Sequence, residues 1–465
     1  MRMTVKDLLA IEHFHVHRPE RLKGATINGV STDSRTVRRG ELFFAIRGEN
    51  FDGHDFIPAA TAKGIACAVV DRRFDYSSTD LPLVIVEDTV KALGQLACEH
   101  RRKFDIPVVA ITGSSGKTTT KEMVRGILKY RYSVLGTEGN LNNHIGVPMT
   151  LFRLNRGHDL AVIEMGMNHE GEIANLCAIA EPTHGVITNV GKAHLGFFGS
   201  LERIARAKGE LFDWLTMDRS RVGFVNADDR HVVARSKKLK QKRTYGLSAT
   251  RAQVRGKLLD VDRHGCPRFS IARSGLKRPI IVQIRVPGHW NVSNALAAAA
   301  IGFEFSVPGR DIRTALESFQ PMKNRMQTAL VAGVTIINDT YNANPESVAS
   351  TLEVLQTMKC SGKKIVILGD MLELGEYAQE EHERIAALIN RLGFGYVLTY
   401  GAMAACITTK LRCDVNLHYD QKNILSEYAA ELVAPGDIVL VKGSRGMKME
   451  DVVTFLRERL GERGI

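Results

Sequence analysis

A glycine-rich turn in the first third of the chain contains the residue types that bind nucleotide phosphates. The apolar run VVAIT predicts a buried strand, and the residues that follow it, GSSGKTTTKE, predict a turn that leads into a helix. Gly113 and Gly116 allow the backbone to present its N–H groups to a phosphate, and the helix N-terminus adds positive potential. Lys117 can hold the β- and γ-phosphates, and Thr118 can bind Mg²⁺. The sequence therefore predicts an ATP site.

The next apolar strand offers a carboxylate for the same metal ion. The run DLAVIEM contains Glu164, which could bind Mg²⁺ opposite Thr118, although a strand-end acid with structural partners is an equally open interpretation. The turn departs from the full Walker pattern at Ile111, where that pattern has a glycine. The absence of an N-K-x-D motif and of paired acids at the strand end argues against a switch GTPase and a motor ATPase. A nucleotide-binding regulator that ligates nothing is the alternative from another class.

Two further residues follow a third strand of the same block. His194 lies in the glycine-rich segment NVGKAHLG, and Lys208 lies on the amphipathic pattern after it. A single histidine is more often structural, and a single helical lysine is more often a solvated charge. Their position after a phosphate-binding turn favours a functional interpretation of both.

The elements that must position these residues divide the chain into blocks. A chain of 465 residues predicts about three domains at roughly 150 residues each. Short β-like runs fill residues 1–84, strands alternate with helices in 85–319 around a polar β-like insert, and the alternation resumes in 320–465. Such alternation predicts α/β domains with parallel sheets, in which ligands bind at the C-terminal ends of the strands.

Charge and cysteine content narrow the choice of partners and compartment. Lys and Arg number 63 against 51 Asp and Glu, a formal charge of +12. Aromatic residues make up only 6% and do not interleave with basic ones, so small anionic substrates are favoured over nucleic acid. Seven scattered cysteines without a C-x-x-C motif predict reduced thiols. Because no signal-peptide core or membrane span is found, the protein is expected in the cytoplasm.

Motifs distributed over nearly the whole chain resemble those of one family. They are STDSR (31–35), GENFDGHDFI (48–57), TGSSGKTTTKE (112–122), TEGNLNNHIGVPMT (137–150), EMGMNHEGEI (164–173), NVGKAHLG (189–196), ARAK (205–208), PGHWNVSNALAA (287–298), NRMQ (324–327), DTYNANPES (339–347), LGDMLELG (368–375) and KGSRGMKME (442–450). Together they resemble the Mur ligase family. The resemblance implies a small α/β UDP-binding N-terminal domain, a central P-loop ATPase domain with a parallel sheet, and a Rossmann-like C-terminal domain.

The resemblance also implies which residues bind ATP. The phosphates would be held by a continuous loop, namely Gly113, Ser114, Ser115, Gly116, Lys117, Thr118 and Thr119. The adenine would lie near His289, Asn291 and Asn294, and the third domain would contribute Arg325 and Asp339. Asn324 replaces the glycine that is common before the equivalent of Arg325.

Metal and catalytic roles follow from the same resemblance. Thr118 and Glu164 would bind one Mg²⁺, and His194 with a carbamylated Lys208 would serve a second. Lys117, His194 and Lys208 would be the catalytic residues. Their chemistry would be ATP-dependent ligation, in which phosphorylation turns a carboxylate into an acyl phosphate that an amine attacks.

Within the family, two motifs favour one branch. The D-N-P-R motif of the diaminopimelate-adding branch is absent, whereas DTYNANPES and KGSRGMKME are similar to the branch that adds D-alanyl-D-alanine to UDP-N-acetylmuramoyl-tripeptide. Ser34 and Arg35 would bind the UDP part, and Asn342 and Asn344 would contact the dipeptide. Folylpolyglutamate synthase shares the phosphate-binding turn but not this first domain. A monomer is expected, and the third residue of the peptide, diaminopimelate or lysine, stays open.

Overall fold

Three larger sheets follow one another along the chain in the computed structural model, which describes residues 3–22, 24, 26–48, 50–77, 79–192 and 195–463. Each is flanked by helices, as the alternation of strands and helices predicts. Within these residues, no helix is both long and apolar enough to cross a membrane.

The first sheet lies in the N-terminal region. The strands of this region are β1 (Met3–Thr4), β2 (His15–His17), β3 (Thr26–Ile27), β4 (Val30–Ser31), β5 (Leu42–Phe44), β6 (Cys67–Asp71) and β7 (Leu83–Val86). Its helix is α1 (Ile57–Ala62). The sheet order is β2-β7-β6-β5-β4, in which β4 to β7 are parallel, and β1 pairs with β3. The predicted domain limit between residues 84 and 85 falls inside β7, because an apolar run indicates a strand but not the sheet that it joins.

The central sheet contains the phosphate-binding turn. Its strands are β8 (Val108–Thr112), β9 (Val134–Gly136), β10 (Leu160–Glu164), β11 (His184–Ile187), β12 (Val222–Asn226), β13 (Gln241–Gly246), β14 (Val254–Val261), β15 (Pro267–Arg273) and β16 (Ile280–Gln283). The helices around it are α2 (Thr89–Arg102), α3 (Lys117–Leu128), α4 (Gly146–Leu151), α5 (Glu172–Ala180), α6 (Leu195–Phe198), α7 (Leu201–Leu215), α8 (Arg230–Arg235), α9 (Trp290–Glu304) and α10 (Gly309–Glu317). The order is β16-β15-β14-β13-β12-β11-β8-β10-β9, antiparallel only in the polar insert β14–β16.

The third sheet belongs to the C-terminal region. Its strands are β17 (Gln327–Val331), β18 (Val334–Asp339), β19 (Lys364–Gly369), β20 (Tyr396–Tyr400), β21 (Val415–Tyr419) and β22 (Ile438–Lys442). Its helices are α11 (Pro345–Thr357), α12 (Ala378–Leu392), α13 (Ala405–Thr408), α14 (Lys422–Leu432) and α15 (Glu450–Arg463). The order is β17-β18-β22-β19-β20-β21, parallel except for the hairpin β17–β18.

Strand β8 is buried on both faces, which explains its continuous apolar run. Val108 and Ala110 pack into the core on the side of α2 and α7, whereas Val109 and Ile111 pack into the core formed with α3 and α9. Burial of each of the larger side chains, those of Val108, Val109 and Ile111, stabilises the fold by about 1.5–3 kcal/mol. The strand therefore holds the turn after Thr112 at a fixed place.

Helix α9 approaches α3 closely because its inner positions are small. A Cβ at Gly302 would lie 2.6 Å from Cγ2 of Ile127, and the alanines 297–300 of α9 are buried. The close contact places Asn294, near the start of α9, against the beginning of α3.

Candidate active site

The turn between β8 and α3 can be built only with glycine at its two key positions. Gly113 has φ +150° and Gly116 has φ +76°, backbone conformations that favour glycine. A Cβ at Gly113 would lie 1.9 Å from Oγ1 of Thr188, and one at Gly116 would lie 2.4 Å from Oδ1 of Asn294. The loop is therefore in direct contact with the end of β11 on one side and with α9 on the other.

Residues after β11 fix the conformation of this loop. Ser114 N donates to the carbonyl of Asn189 over 3.0 Å, and Ser115 N donates to Asn189 Oδ1 over 3.0 Å. Thr188 Oγ1 donates to the carbonyl of Ser115 over 2.6 Å, and Gly191 N donates to Ser114 Oγ over 2.8 Å. The loop is thus held in shape by its neighbours, a role that the sequence analysis did not assign to Thr188 or Asn189.

Lys117 opens α3 with its amine directed back over the loop. Its Nζ donates to the carbonyl of Gly113 over 2.7 Å. Burial lowers the pKa of this amine, the negative charge of Glu164 opposes that effect, and the positive charge of Arg325 adds to it. Lys117 is therefore positioned where an anion that enters the loop would meet its charge.

Glu164 and Thr118 form a buried pair whose donor atoms fit a Mg²⁺ ion. Oε1 of Glu164 accepts hydrogen bonds from Thr118 Oγ1 (3.2 Å) and Asn142 Nδ2 (2.9 Å). Oε2 is buried without a hydrogen bond to any described residue, and the nearest cation, Nζ of Lys121, is 3.6 Å away. A carboxylate oxygen that accepts no hydrogen bond, beside a threonine hydroxyl, is a suitable donor set for a hard cation.

The second predicted metal site rests on one described residue. Lys208, on α7, is 1% exposed, and its pKa is well below the usual value because of burial and, secondarily, the charge of Lys117. His194 lies outside the described residues. Among the residues that are described, no group of three or more His, Cys, Asp and Glu side chains could hold a metal ion. The pairing of Lys208 with His194 therefore stays a prediction.

Arg325 brings a cation of the C-terminal region to the phosphate-binding loop. Its Nη2 donates to Thr118 Oγ1 over 3.2 Å, and its guanidinium carbon lies 3.8 Å from the ring centroid of Tyr341. The preceding Asn324 has φ +61°, a left-handed conformation that asparagine tolerates better than most residues. Asn324 therefore preserves the turn that a glycine would make there.

The Asp339 carboxylate makes its contacts with other residues of the C-terminal region, the region that also contains Arg325. The carboxylate pairs with Nζ of Lys442 at 2.6 Å and accepts hydrogen bonds from Thr351 Oγ1 (3.0 Å) and Met326 N (3.1 Å). The last contact fixes the backbone directly after Arg325. Asp339 thus supports the loop that carries Arg325.

A cavity of about 1140 Å³ lies between the central and C-terminal regions. Many predicted site residues line it, namely Ser114, Ser115, Gly116, Lys117, Thr118, Thr119, Glu164, Asn291, Asn294, Arg325, Asp339, Asn342 and Asn344. A cavity lined by a phosphate-binding loop on one side and polar side chains on the other can hold a nucleotide next to a second substrate.

Three family models match successive parts of the chain. They describe a Mur ligase family catalytic domain at residues 26–101, a Mur ligase middle domain at 111–302, and a Mur ligase glutamate ligase domain at 324–445. The chain belongs to the Mur ligase family. The predicted fold class, α/β with three domains, is confirmed. The chain is an ATP-dependent ligase that forms amide bonds.

Known Mur ligases are similar to this chain over nearly its whole length. A Bacillus subtilis protein named UDP-N-acetylmuramoyl-tripeptide--D-alanyl-D-alanine ligase is 34% identical over 98% of this chain and 99% of its own. A MurF crystal structure from Acinetobacter baumannii has a TM-score of 0.87 and 32% identity, and covers 98% of this chain and 99% of that one. A MurF ligase from Thermotoga maritima in complex with ADP has a TM-score of 0.82 and 30% identity, with 94% and 98% covered.

In this Mur ligase, the residues predicted near adenine separate into two groups. Asn291 donates from Nδ2 to the carbonyl of Pro287 (2.8 Å), and Asn294 bridges Asn291 and Thr120 at 3.0 and 3.2 Å. Both asparagines line the cavity, whereas His289 is exposed and lies outside its lining. A contact of His289 with adenine therefore stays a prediction.

Of the residues predicted to bind the two substrates of this Mur ligase, some line the cavity and others lie outside its lining. Asn342 and Asn344 line the cavity, and Asn344 caps α11 by accepting from Ser347 N at 2.9 Å. Ser34 and Arg35 lie outside the cavity lining, in the N-terminal region. The exposed Arg35 guanidinium pairs with Asp33 at 2.7 Å, and this contact lowers the pKa of the Asp33 carboxyl to about 2.

Proposed function

We propose that this protein joins D-alanyl-D-alanine to UDP-N-acetylmuramoyl-tripeptide at the expense of ATP, which forms the pentapeptide precursor of peptidoglycan. The observation that carries the proposal is the cavity in which the phosphate-binding loop and Glu164 face Arg325, Asn342 and Asn344 of the C-terminal region. Support also comes from relatives of the same length whose names state this reaction.

The reaction requires two anions to approach each other. A carboxylate oxygen of the UDP-linked peptide attacks the γ-phosphorus of ATP, and ADP leaves. The amine of D-alanyl-D-alanine then attacks the acyl carbon, phosphate leaves, and the amine loses a proton. Lys117 and Arg325 would offset the repulsion between phosphate and carboxylate in the first step.

Mg²⁺ held by Thr118 and Glu164 would neutralise charge on the phosphate oxygens. Lys208 would be carbamylated and would serve a second Mg²⁺ with His194. The support for the first site is Oε2 of Glu164, which is buried and accepts no hydrogen bond from any described residue. The support for the second is the lowered pKa of Lys208, because only a neutral amine reacts with CO₂.

The acceptor and the donor would enter from different regions. Asn342 and Asn344 would pair with the amide of D-alanyl-D-alanine, and Arg445, which lines the cavity, would take its carboxylate. Ser34 and Arg35 would bind the uridine diphosphate of the donor in the N-terminal region. The seven free cysteines support a reducing compartment, the cytoplasm.

Phosphate release in step with the acceptor tests the proposal. Purified protein with ATP, Mg²⁺ and UDP-N-acetylmuramoyl-tripeptide should release phosphate continuously only after D-alanyl-D-alanine is added, in a one-to-one ratio to the new amide. A nucleotide-binding regulator, the alternative function, would bind ATP without this dependence. Phosphate release that is unchanged by the dipeptide would contradict the proposal.

A further inference from the structure

The segment after β11 touches the phosphate-binding loop and the C-terminal region through adjacent residues. Gly191 N donates to Ser114 Oγ over 2.8 Å, and Ser114 Oγ donates to the carbonyl of Gly191 over 3.0 Å. The next residue, Lys192, faces the C-terminal region. The phosphate-binding loop and the C-terminal region are therefore connected through two consecutive residues, so a movement of one can displace the other.

Lys192 makes two contacts with carboxylates of the C-terminal region. Its backbone N donates to Oε1 of Glu346, on the first turn of α11, over 2.7 Å. Its Nζ donates to Oε1 of Glu381, on α12, over 2.5 Å. The Glu381 side chain is only 5% exposed and also accepts from Arg384 Nη1 over 2.9 Å. A carboxylate this buried is stabilised by both cations, and loss of the Lys192 amine would leave it paired with Arg384, whose side chain is more exposed to solvent.

We propose that Lys192 is a positioning residue that couples the seating of the C-terminal domain to the shape of the phosphate-binding loop. This inference rests on the proposed function, because the coupling is expected to affect the rate of the proposed ligation. When Lys192 holds Glu381 and Glu346, α11 and α12 lie in place, and Arg325 of the same domain reaches Thr118. Without the Lys192 side chain, the backbone contact to Glu346 persists but the ion pair is lost.

Kinetics of the full-length Lys192→Met variant test the coupling. We expect kcat to fall at least tenfold, while the affinity for ADP, whose phosphates we propose are bound by the central domain, changes less than threefold. Lys192→Arg should restore most of the activity, because it keeps the charge. Arg313→Met, which removes a cation from the exposed pair with Glu317 on α10, is the matched control and should not change kcat.

A double-variant cycle isolates the pair. If the Lys192–Glu381 ion pair is responsible for the effect on kcat, the double variant Lys192→Met/Glu381→Gln should lose no more activity than the less active of the two single variants. Fold-losses that multiply, or a Lys192→Met variant with wild-type kcat, would overturn the inference. A Lys192→Met protein that loses ADP affinity together with thermal stability would also overturn it, because the residue would then act only on folding.

Small-angle scattering can show whether this inference fails independently of the proposed function. In small-angle scattering with ADP and Mg²⁺, Lys192→Met should have a larger radius of gyration than the wild type, whatever the acceptor proves to be. Equal radii would count against the coupling. A wild-type protein that forms no product with D-alanyl-D-alanine would instead contradict the proposed function alone.

Discussion

Arg325 of the C-terminal domain donates a hydrogen bond to Oγ1 of Thr118, the residue that follows the loop lysine in the central domain, over 3.2 Å. The same hydroxyl donates to Glu164 Oε1 at the same distance. A guanidinium from one domain thus reaches the proposed metal and phosphate site of another. The planar group is also stacked on Tyr341, so its orientation is fixed.

Arg325→Lys should therefore lose activity although the charge is retained. An ammonium can neither stack as a plane nor make the same directed hydrogen bonds, and loss of such a contact costs about 2–4 kcal/mol of transition-state stabilisation. We expect kcat/KM to fall by roughly 30- to 1000-fold. Steady-state kinetics measure the effect, and Tyr341→Leu should produce part of it. An Arg325→Lys variant with normal kcat/KM would show that stacking is irrelevant.

Lys117→Ala should abolish ligation and leave the fold intact. Its amine contacts the loop carbonyl of Gly113 and packs no core, so the cost falls on phosphate binding and not on stability. Loss of a charge-assisted phosphate contact in a closed site is worth at least about 2–4 kcal/mol. Circular dichroism should match the wild type while product formation is undetectable. Near-normal turnover by the folded variant would remove Lys117 from the mechanism.

The local parts of the site could be predicted from the sequence. Strand, turn and helix around Gly113 are adjacent in the chain, and Glu164 ends a strand, β10, that pairs directly with β8. Contacts that depend on the order of the strands in the sheet could not be predicted. Thr188 and Asn189 hold the loop because β11 lies on the other side of β8, and the strand order is not encoded in local periodicity. The Asp339–Lys442 pair joins residues more than one hundred positions apart for the same reason.

His184 should make the stability of the central domain depend on pH. Burial, with Phe224 and Phe305 as neighbours, lowers its pKa from 6.5 to about 4. Between these values the unfolded chain binds a proton that the folded protein does not, so stability falls as the pH falls. Between pH 7 and pH 5 the free energy of unfolding is expected to fall by at most about 2 kcal/mol, because the half-buried imidazole of His184 keeps some contact with solvent.

Urea unfolding of His184→Gln at pH 7 and pH 5 checks this expectation. The variant should lose less unfolding free energy than the wild type over that interval, by at most about 2 kcal/mol. His264→Gln, at an exposed histidine of the polar insert, is the matched control and should follow the wild type. Equal pH dependence in all three proteins would contradict the prediction, because it would show that the pKa of His184 is the same in the folded and unfolded states.

Lys208→Ala should be nearly inactive and partly rescued by short carboxylic acids. A neutral lysine amine attacks CO₂ and releases a proton, and the resulting carbamate is an anion that can face Mg²⁺. The buried position of Lys208 near Lys117 favours the neutral amine that this reaction needs. Rescue of Lys208→Ala by acetate or propionate, with no effect of either acid on an exposed-site variant such as Lys277→Ala, is the expected result. Full activity after removal of CO₂ and bicarbonate would contradict the carbamate.

The acceptor should be a dipeptide and not a single amino acid. A dipeptide presents an amine, an internal amide and a carboxylate, and the cavity wall of the C-terminal domain offers matching groups in Asn342, Asn344 and Arg445. The backbone N of Arg445 donates to Asn342 Oδ1 over 3.3 Å, so these groups lie side by side. A single amino acid would leave one end of this wall without a partner, which costs affinity.

A crossed substrate panel decides the point. The UDP-dipeptide and UDP-tripeptide precursors are each offered with D-alanyl-D-alanine, L-lysine or diaminopimelate, and the products are identified by mass. Only the tripeptide with D-alanyl-D-alanine should give efficient turnover. Asn342→Ala should raise the KM for the dipeptide more than the KM for ATP, because we propose that this side chain, which lies beside Arg445, contacts the acceptor. Tripeptides that end in diaminopimelate or lysine identify the natural donor. Efficient ligation of a single amino acid to the UDP-dipeptide would place the protein in another branch of the family.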